Sequence, residues 1–413
     1  MKIFLKIAFC VLLSLNLSAQ IGTKIIRNGT LHLGNGEIIE GGVLVMEQGK
    51  IIELGSTQKG LYKNAVIIDA KGKHVYPGLI AMNNIMGLNE IDAIRATKDY
   101  NEQGEFNPNV RTLIAYNTDS KILPTALFNG VLFTQAIPQG GVISGSSSLM
   151  KTKAWNWEDA VVKADEGVHL NWPYLQIAGM DPNKHGEKLI AEIATFFAEA
   201  KQYQSMKTPV FNARLAAMKG VFTGTQNLYI HANDARSMLR SIHFFKNNYP
   251  EIHLVIVGGQ EAYLIAVVLK EFQIPVVLGN IHRLPTHNAD GIDQPYQLPA
   301  QLENLGIKFA LSFEGSWEAR NLAYVAGTAA AYGLNKEAAL KAICLSPAEI
   351  MGVSDRIGSL AVGKDASILI CNGDLLDMKS SELWQVYLCG EAIDLNNEQV
   401  KLYQKYMDKY KLN

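Results

Sequence analysis

At 413 residues, 48% hydrophobic and only 19% charged, the chain can bury one or two sizeable cores, which excludes wholesale disorder. Its 38 lysines and arginines nearly cancel its 39 aspartates and glutamates. That balance excludes a global basic field for nucleic acid and any strong acidic bias.

Residues 1–20 read as a processing segment. Lys2 and Lys6 precede an apolar run from Ile7 to Leu17, and the small residues Ser18 and Ala19 follow. This is the layout of a secretory signal peptide, with cleavage expected near Ala19 and export to the periplasm or beyond. The run is too short to span a membrane, which takes about 20 residues. Cys10 lies inside the run, so it is not read as a lipid-attachment site. The mature chain keeps Cys344, Cys371 and Cys389, too few for a disulfide framework, although one pair could still bond. Cys344 sits in an apolar helical pattern and reads as a small buried hydrophobe.

From Ile25 to Ile68, apolar runs of four alternate with glycine turns, as in Val43–Met46, Gln48-Gly49-Lys50 and Ile51–Leu54. Such spacing predicts hairpins of a small β module. After Pro77-Gly78 the character changes to strand-like runs separated by helical ones, the signature of βα repeats. Six strands are readable: 79–83, 131–137, 228–232, 253–257, 275–279 and 308–312. Two more are expected between 144 and 223, where the pattern is weak. Helices are expected over 188–202, 261–272 and 319–332, the first with Leu189, Ile193, Phe196, Phe197 and Ala200 on one face. The aromatics there read as core. Strand character returns at 357–360, 366–371 and 386–388. Residues 397–413, with Val400, Tyr403, Met407 and Tyr410 at helical spacing, read as a surface helix docked on the body. Membrane contact is the weaker alternative for it.

The predicted architecture is α/β. A signal peptide (1–20) precedes a (β/α)8 TIM-like barrel (79–354) and a small β-sandwich domain built from both chain ends (21–78 and 355–396).

These segments carry a family resemblance. The run from Asn35-Gly36 to Gly55, then Ile68-Asp69-Ala70-Lys71-Gly72-Lys73 and Pro77-Gly78-Leu79-Ile80, resembles the opening of amidohydrolase-superfamily enzymes. Ala338-Ala339-Leu340 to Pro347-Ala348, Asp355-Arg356-Ile357-Gly358-Ser359-Leu360 and Gly363-Lys364-Asp365-Ala366 are similar to that family's last barrel helices and returning strands. The likeness spans nearly the whole mature chain and is nearest to imidazolonepropionase-like secreted proteins. It implies one or two divalent metals at the barrel mouth that lower the pKa of a bound water, with an acid after strand eight to handle its proton. The ligands it implies are H-x-H after strand one, a histidine after strands five and six, and an aspartate after strand eight.

The match at those positions is poor. Asn83 and Ile85 stand where H-x-H belongs, and Gly258 stands at the strand-six histidine. His231, ending Leu228-Tyr229-Ile230-His231-Ala232, is retained. Glu314 stands near the expected aspartate, with Ser312 as a rival alignment. The resemblance therefore implies His231 and Glu314 as metal ligands, Glu314 also as the catalytic acid–base group, and at most one weakly held zinc, or none.

Other loops open on the same face of such a barrel. His282 and Arg283, after strand seven, are candidate substrate-binding residues for an anionic group, with a rearranged metal site as the weaker alternative. Arg95 belongs to a long polar segment running from Glu90 to Asp119, and it shares a face with Asp99 if 91–99 is helical. Residues 139–148 read as a flexible loop that lacks the Gly-Lys-Ser/Thr of a phosphate cradle.

Two functions follow. One is a hydrolase opening non-peptide C–N bonds, in a cyclic amide or related small molecule, through metal-activated water. The other is a non-catalytic protein that keeps the barrel to bind a small molecule or a protein partner. Neither implies nucleic acid or a membrane span in the mature chain. Mass spectrometry of the protein from its native host should find a new N-terminus near Gln20; an intact Met1 would refute export by this route.

Overall fold

The computed structural model describes residues 22–174 and 182–412. The signal-peptide reading lies outside the described residues.

The first strands are β1 (Lys24–His32), β2 (Ile38–Glu47), β3 (Lys50–Gly55), β4 (Val66–Asp69) and β5 (His74–Pro77). Near the other end come β14 (Ile368–Cys371), β15 (Leu383–Leu388) and β16 (Glu391–Ile393). All eight form one sheet, in the order β16-β15-β14-β5-β1-β2-β3, with β4 beside β1. The two chain ends meet where β14 pairs antiparallel with β5, Ile368 opposite Pro77. Alternating apolar residues give the sheet its own core of Ile26, Leu31, Leu44, Met46, Ile368 and Ile370. Residues 357–360, expected as a strand, form an irregular turn instead. Ile357 and Leu360 are still buried, and Leu360 N–H donates to Leu33 C=O.

The second sheet holds β6 (Leu79–Asn84), β7 (Val131–Ala136), β8 (Ile143–Lys151), β9 (Val161–Asn171), β10 (Asn227–Ala232), β11 (Leu254–Gly258), β12 (Val276–Leu278) and β13 (Phe309–Leu311), each beside the next. A parallel bridge from Met82 to Ser312 brings the first and last strands together. The Asn84 amide strengthens this closure by donating to the carbonyls of Phe313 and Gly315, at 3.0 and 2.8 Å. The result is a TIM-like barrel of eight strands.

One barrel strand runs backwards. β8 pairs antiparallel with both β7 and β9, while the other barrel pairings are parallel. β8 and β9 fill the two places expected between 144 and 223. Residues 139–148 are therefore not simply a loop, because β8 begins at Ile143.

Helix Pro182–Ser205 buries Ile193, Phe197 and Ala200, as its spacing predicts. Residues 91–99 hold only a short 3-10 turn, Arg95–Thr97, so Arg95 and Asp99 gain no helical register. The C-terminal helix, Glu398–Tyr410, buries none of its residues and is not packed down as expected. It is tethered at its start, by the Asn397 cap and a bond from Thr125 to Gln399. No helix among the described residues is long and apolar enough to cross a membrane. Cys344, Cys371 and Cys389 are all free thiols.

A buried histidine couples the sheet to the barrel. His32, on β1, meets Glu337 of helix Lys336–Lys341 at 2.7 Å and His74 of β5 at 2.9 Å, and stacks on Tyr76. Glu337→Ala would leave a buried imidazole nitrogen without its partner. We expect a loss of about 1–3 kcal/mol in chemical denaturation, and a loss within error would contradict this coupling role.

Candidate functional site at the barrel mouth

Parallel strands end at one mouth of the barrel, and the loops that follow them build a cleft of about 690 Å³. Its walls include Trp172, His231, Asp234, Arg236, Glu261, His287 and Glu314. The helix Ala235–Asn248 starts at the cleft because Asp234 caps it, accepting from Ser237 N–H at 2.8 Å. Its inward face buries Met238, Ile242 and Phe245, which fixes where its first turn lies. Glu261 meets the same turn: one carboxylate oxygen accepts from Ala235 N–H at 2.8 Å, where the helix dipole favours negative charge. The other oxygen holds His287 Nε2 at 2.5 Å.

His231 stands at the end of β10, half-buried, and faces a polar barrel interior on its other side. Its Nε2 lies 2.8 Å from His169 Nδ1, and His169 Nε2 lies 2.9 Å from Ser147 Oγ. Ser147 donates to Glu166 at 2.5 Å, as do Gln135 at 2.6 Å and Tyr229 at 2.8 Å. Ser147, Glu166, His169 and Tyr229 are completely buried. Burial raises the Glu166 carboxyl pKa, and its three donors pull the other way. Burial also lowers both histidines: His169 goes well below the usual imidazole range, and His231 goes down to about 4.

Of the residues singled out in the sequence, His231 and Glu314 line this one cleft. His282 does not; its ring bonds Thr328 at 2.8 Å and sits edge-on to Tyr296 and Phe313. Arg283 turns back on its own loop, donating to Leu284 C=O and Thr286. Arg95 borders a separate groove with Tyr100 and Glu102. Five groups escape the sequence reading of the site: Ser147, Glu166, His169, Glu261 and His287. For the last two a signal exists, since each is an ionisable side chain in a loop directly after a barrel strand.

The residues present do not fit the metal that the resemblance implies. Gly258 has φ +99°, and a Cβ there would lie 2.4 Å from Asn233 Oδ1. Ile85 is buried and has no donor atom. Ser312, the rival for strand eight, donates to Leu278 C=O. His231 Nε2 is engaged by His169. Among the described residues, no three His, Cys, Asp or Glu side chains gather as a metal-holding group.

Comparison with known proteins agrees with the fold. Residues 211–399 match the model of the Amidohydrolase family. An amidohydrolase from Thermotoga maritima MSB8 is similar, with a TM-score of 0.78 and 25% identity over 90% of this chain and 99% of that one. A Xaa-Pro dipeptidase with bound methionine shares the fold (TM-score 0.55, 14% identity, 90% and 100% covered). So does an adenosine deaminase from Xanthomonas campestris with bound zinc (0.51, 13%, 94% and 98%). No curated protein matches the sequence. The partial family match and the similarity to the Thermotoga enzyme give the chain the fold of amidohydrolase-type hydrolases.

The half-buried His231 imidazole, turned toward the polar interior, sets a pH response. Unfolded His231 protonates near pH ~6.5, but the folded group does so only near 4. Between those values the unfolded chain binds more protons, so stability falls as pH falls. The melting temperature should drop from pH ~7 to pH ~4.5, and His231→Asn should flatten that slope. An unchanged slope would contradict the neutral assignment of His231.

Proposed function

We propose that this protein hydrolyses a non-peptide C–N bond of a small molecule, such as a cyclic amide, in the cleft at the barrel mouth, without the metal centre of its family. The observation that carries this reading is the His287–Glu261 pair, 2.5 Å apart in the cleft wall. With its Nε2–H held by Glu261, the imidazole keeps Nδ1 as the proton acceptor. Water loses a proton to Nδ1 and its oxygen adds to the carbonyl carbon. The C–N bond then breaks as the imidazolium returns the proton to the departing nitrogen. Glu261 balances the transient cation, and Arg236 offers positive charge for the oxyanion. Glu314, which is exposed in the same cleft, binds a polar or cationic part of the substrate. Residues 1–20 support a site of action outside the cytoplasm.

A second reading, ligand binding without turnover, is favoured by one observation. Gly258 stands where the family would place a ligand, and a side chain there would collide with Asn233. A panel of cyclic amides and ureas, assayed with chelator present, separates the two. We expect turnover that His287→Ala lowers by about 10²–10⁴-fold in kcat/KM. Saturable binding with no turnover would replace the proposal by the second reading. Activity lost to chelator and restored by zinc would overturn the metal-free route.

A further inference from the structure

The polar groups inside the barrel form one continuous chain. Asn83 N–H donates to Gln135 Oε1 at 3.0 Å, so the Gln135 amide nitrogen is left to donate to Glu166. Ser147 spends its proton on the same carboxylate oxygen, and its oxygen then accepts from His169 Nε2–H. That tautomer leaves His169 Nδ1 bare, so it accepts from His231 Nε2–H. The Asn83 N–H and the Gln135 amide nitrogen can only donate, so Glu166 Oε1 accepts from Gln135 and from Ser147, which sets the direction of the links beyond it. The chain crosses five neighbouring strands, β6 to β10. Its two ends, Asn83 and His231, are two of the positions where the family resemblance expects metal ligands.

The backbone is shaped around this chain. Asn83 holds φ +52°, a left-handed conformation unusual outside glycine. β8 supplies Ser147 from a strand of reversed direction, opposite Gly167 in the ladder. A side chain at Gly167 would lie 2.3 Å from the Tyr229 ring, so glycine there admits the tyrosine that bonds Glu166. Tyr229 in turn stacks on His169, with ring centres 4.7 Å apart and 12° between the planes.

We infer that this hydrogen-bonded chain, anchored on Glu166, stands in place of a metal centre and organises the barrel mouth without one. The inference goes beyond the proposed hydrolysis, and no arm of its test reads turnover. Mature protein purified without chelator should hold metal well below one equivalent per chain by mass spectrometry. Its melting temperature should not respond to a chelator or to added zinc, and Ser147→Ala should lower it by several degrees. Nitrogen NMR of the unaltered protein should show His231 and His169 both protonated at Nε2 and bare at Nδ1. Stoichiometric metal, a rise in melting temperature with zinc, a bare His231 Nε2, or an unchanged melting temperature in Ser147→Ala would each overturn the inference.

Discussion

A carboxyl group sealed inside a barrel must have its hydrogen-bond donors there with it. Glu166 has no access to water, and an isolated charge there would cost several kcal/mol. Its donors come from β7, β8 and β10, so no single strand can satisfy it alone. This one requirement links features that are otherwise unrelated. It gives a serine-rich segment a reason to enter the barrel, and it makes glycine useful at 167. It also commits the inner faces of His169 and His231 to each other. The outer end of the chain stays at the cleft, where His231 meets solvent and any bound molecule.

The parts of this arrangement that are legible in the sequence are those set by local signals. Hairpins at the N-terminus announce themselves by short apolar runs and glycine turns, and the returning strands do so by their apolar blocks. Parallel strands such as Leu254–Gly258 are buried on both faces, so they read as continuous apolar runs. β8 is the opposite case. Its Ile143-Ser144-Gly145-Ser146-Ser147-Ser148 has the composition of a loop, yet all six residues are buried. Its hydroxyls face polar partners, so the hydrophobic period that marks a strand is missing. β9 hides for the same reason, since Glu166 and His169 point into a polar interior. The turn at Ile357–Leu360 shows the reverse error: burial without a ladder imitates a strand.

Site residues divide along a similar line. His231 and Glu314 share one cleft because strand ends converge on one mouth, a consequence of topology that the sequence carries. His282, Arg283 and Arg95 belong to loops whose paths depend on local hydrogen bonds. The Asn280 side chain accepts from His282 N–H and helps turn that loop, and the His282 ring then docks on Thr328. Composition alone gives no measure of such a turn. The Glu261–His287 pair is likewise invisible from spacing, because its members come from loops after different strands and meet only through the fold.

The poor fit to the metal ligands that the resemblance implies involves the backbone as well as the side chains. Gly258 and Gly259 both hold positive φ, which costs glycine little and strains any residue with a Cβ. A histidine at 258 would need a new backbone path and a displaced Asn233. Freeing His231 for a metal would strip His169 Nδ1 of its partner, leaving only the Ser147 bond at Nε2. Restoring a histidine at 83 would have to reconcile its side chain with the left-handed turn that donates to Gln135. Each change undoes a contact that another strand depends on. No single substitution among these restores the implied ligand set without disturbing a contact already present. The same interdependence ties the barrel mouth to its interior, whereas the Glu261–His287 pair of the cleft wall sits on loops outside the chain.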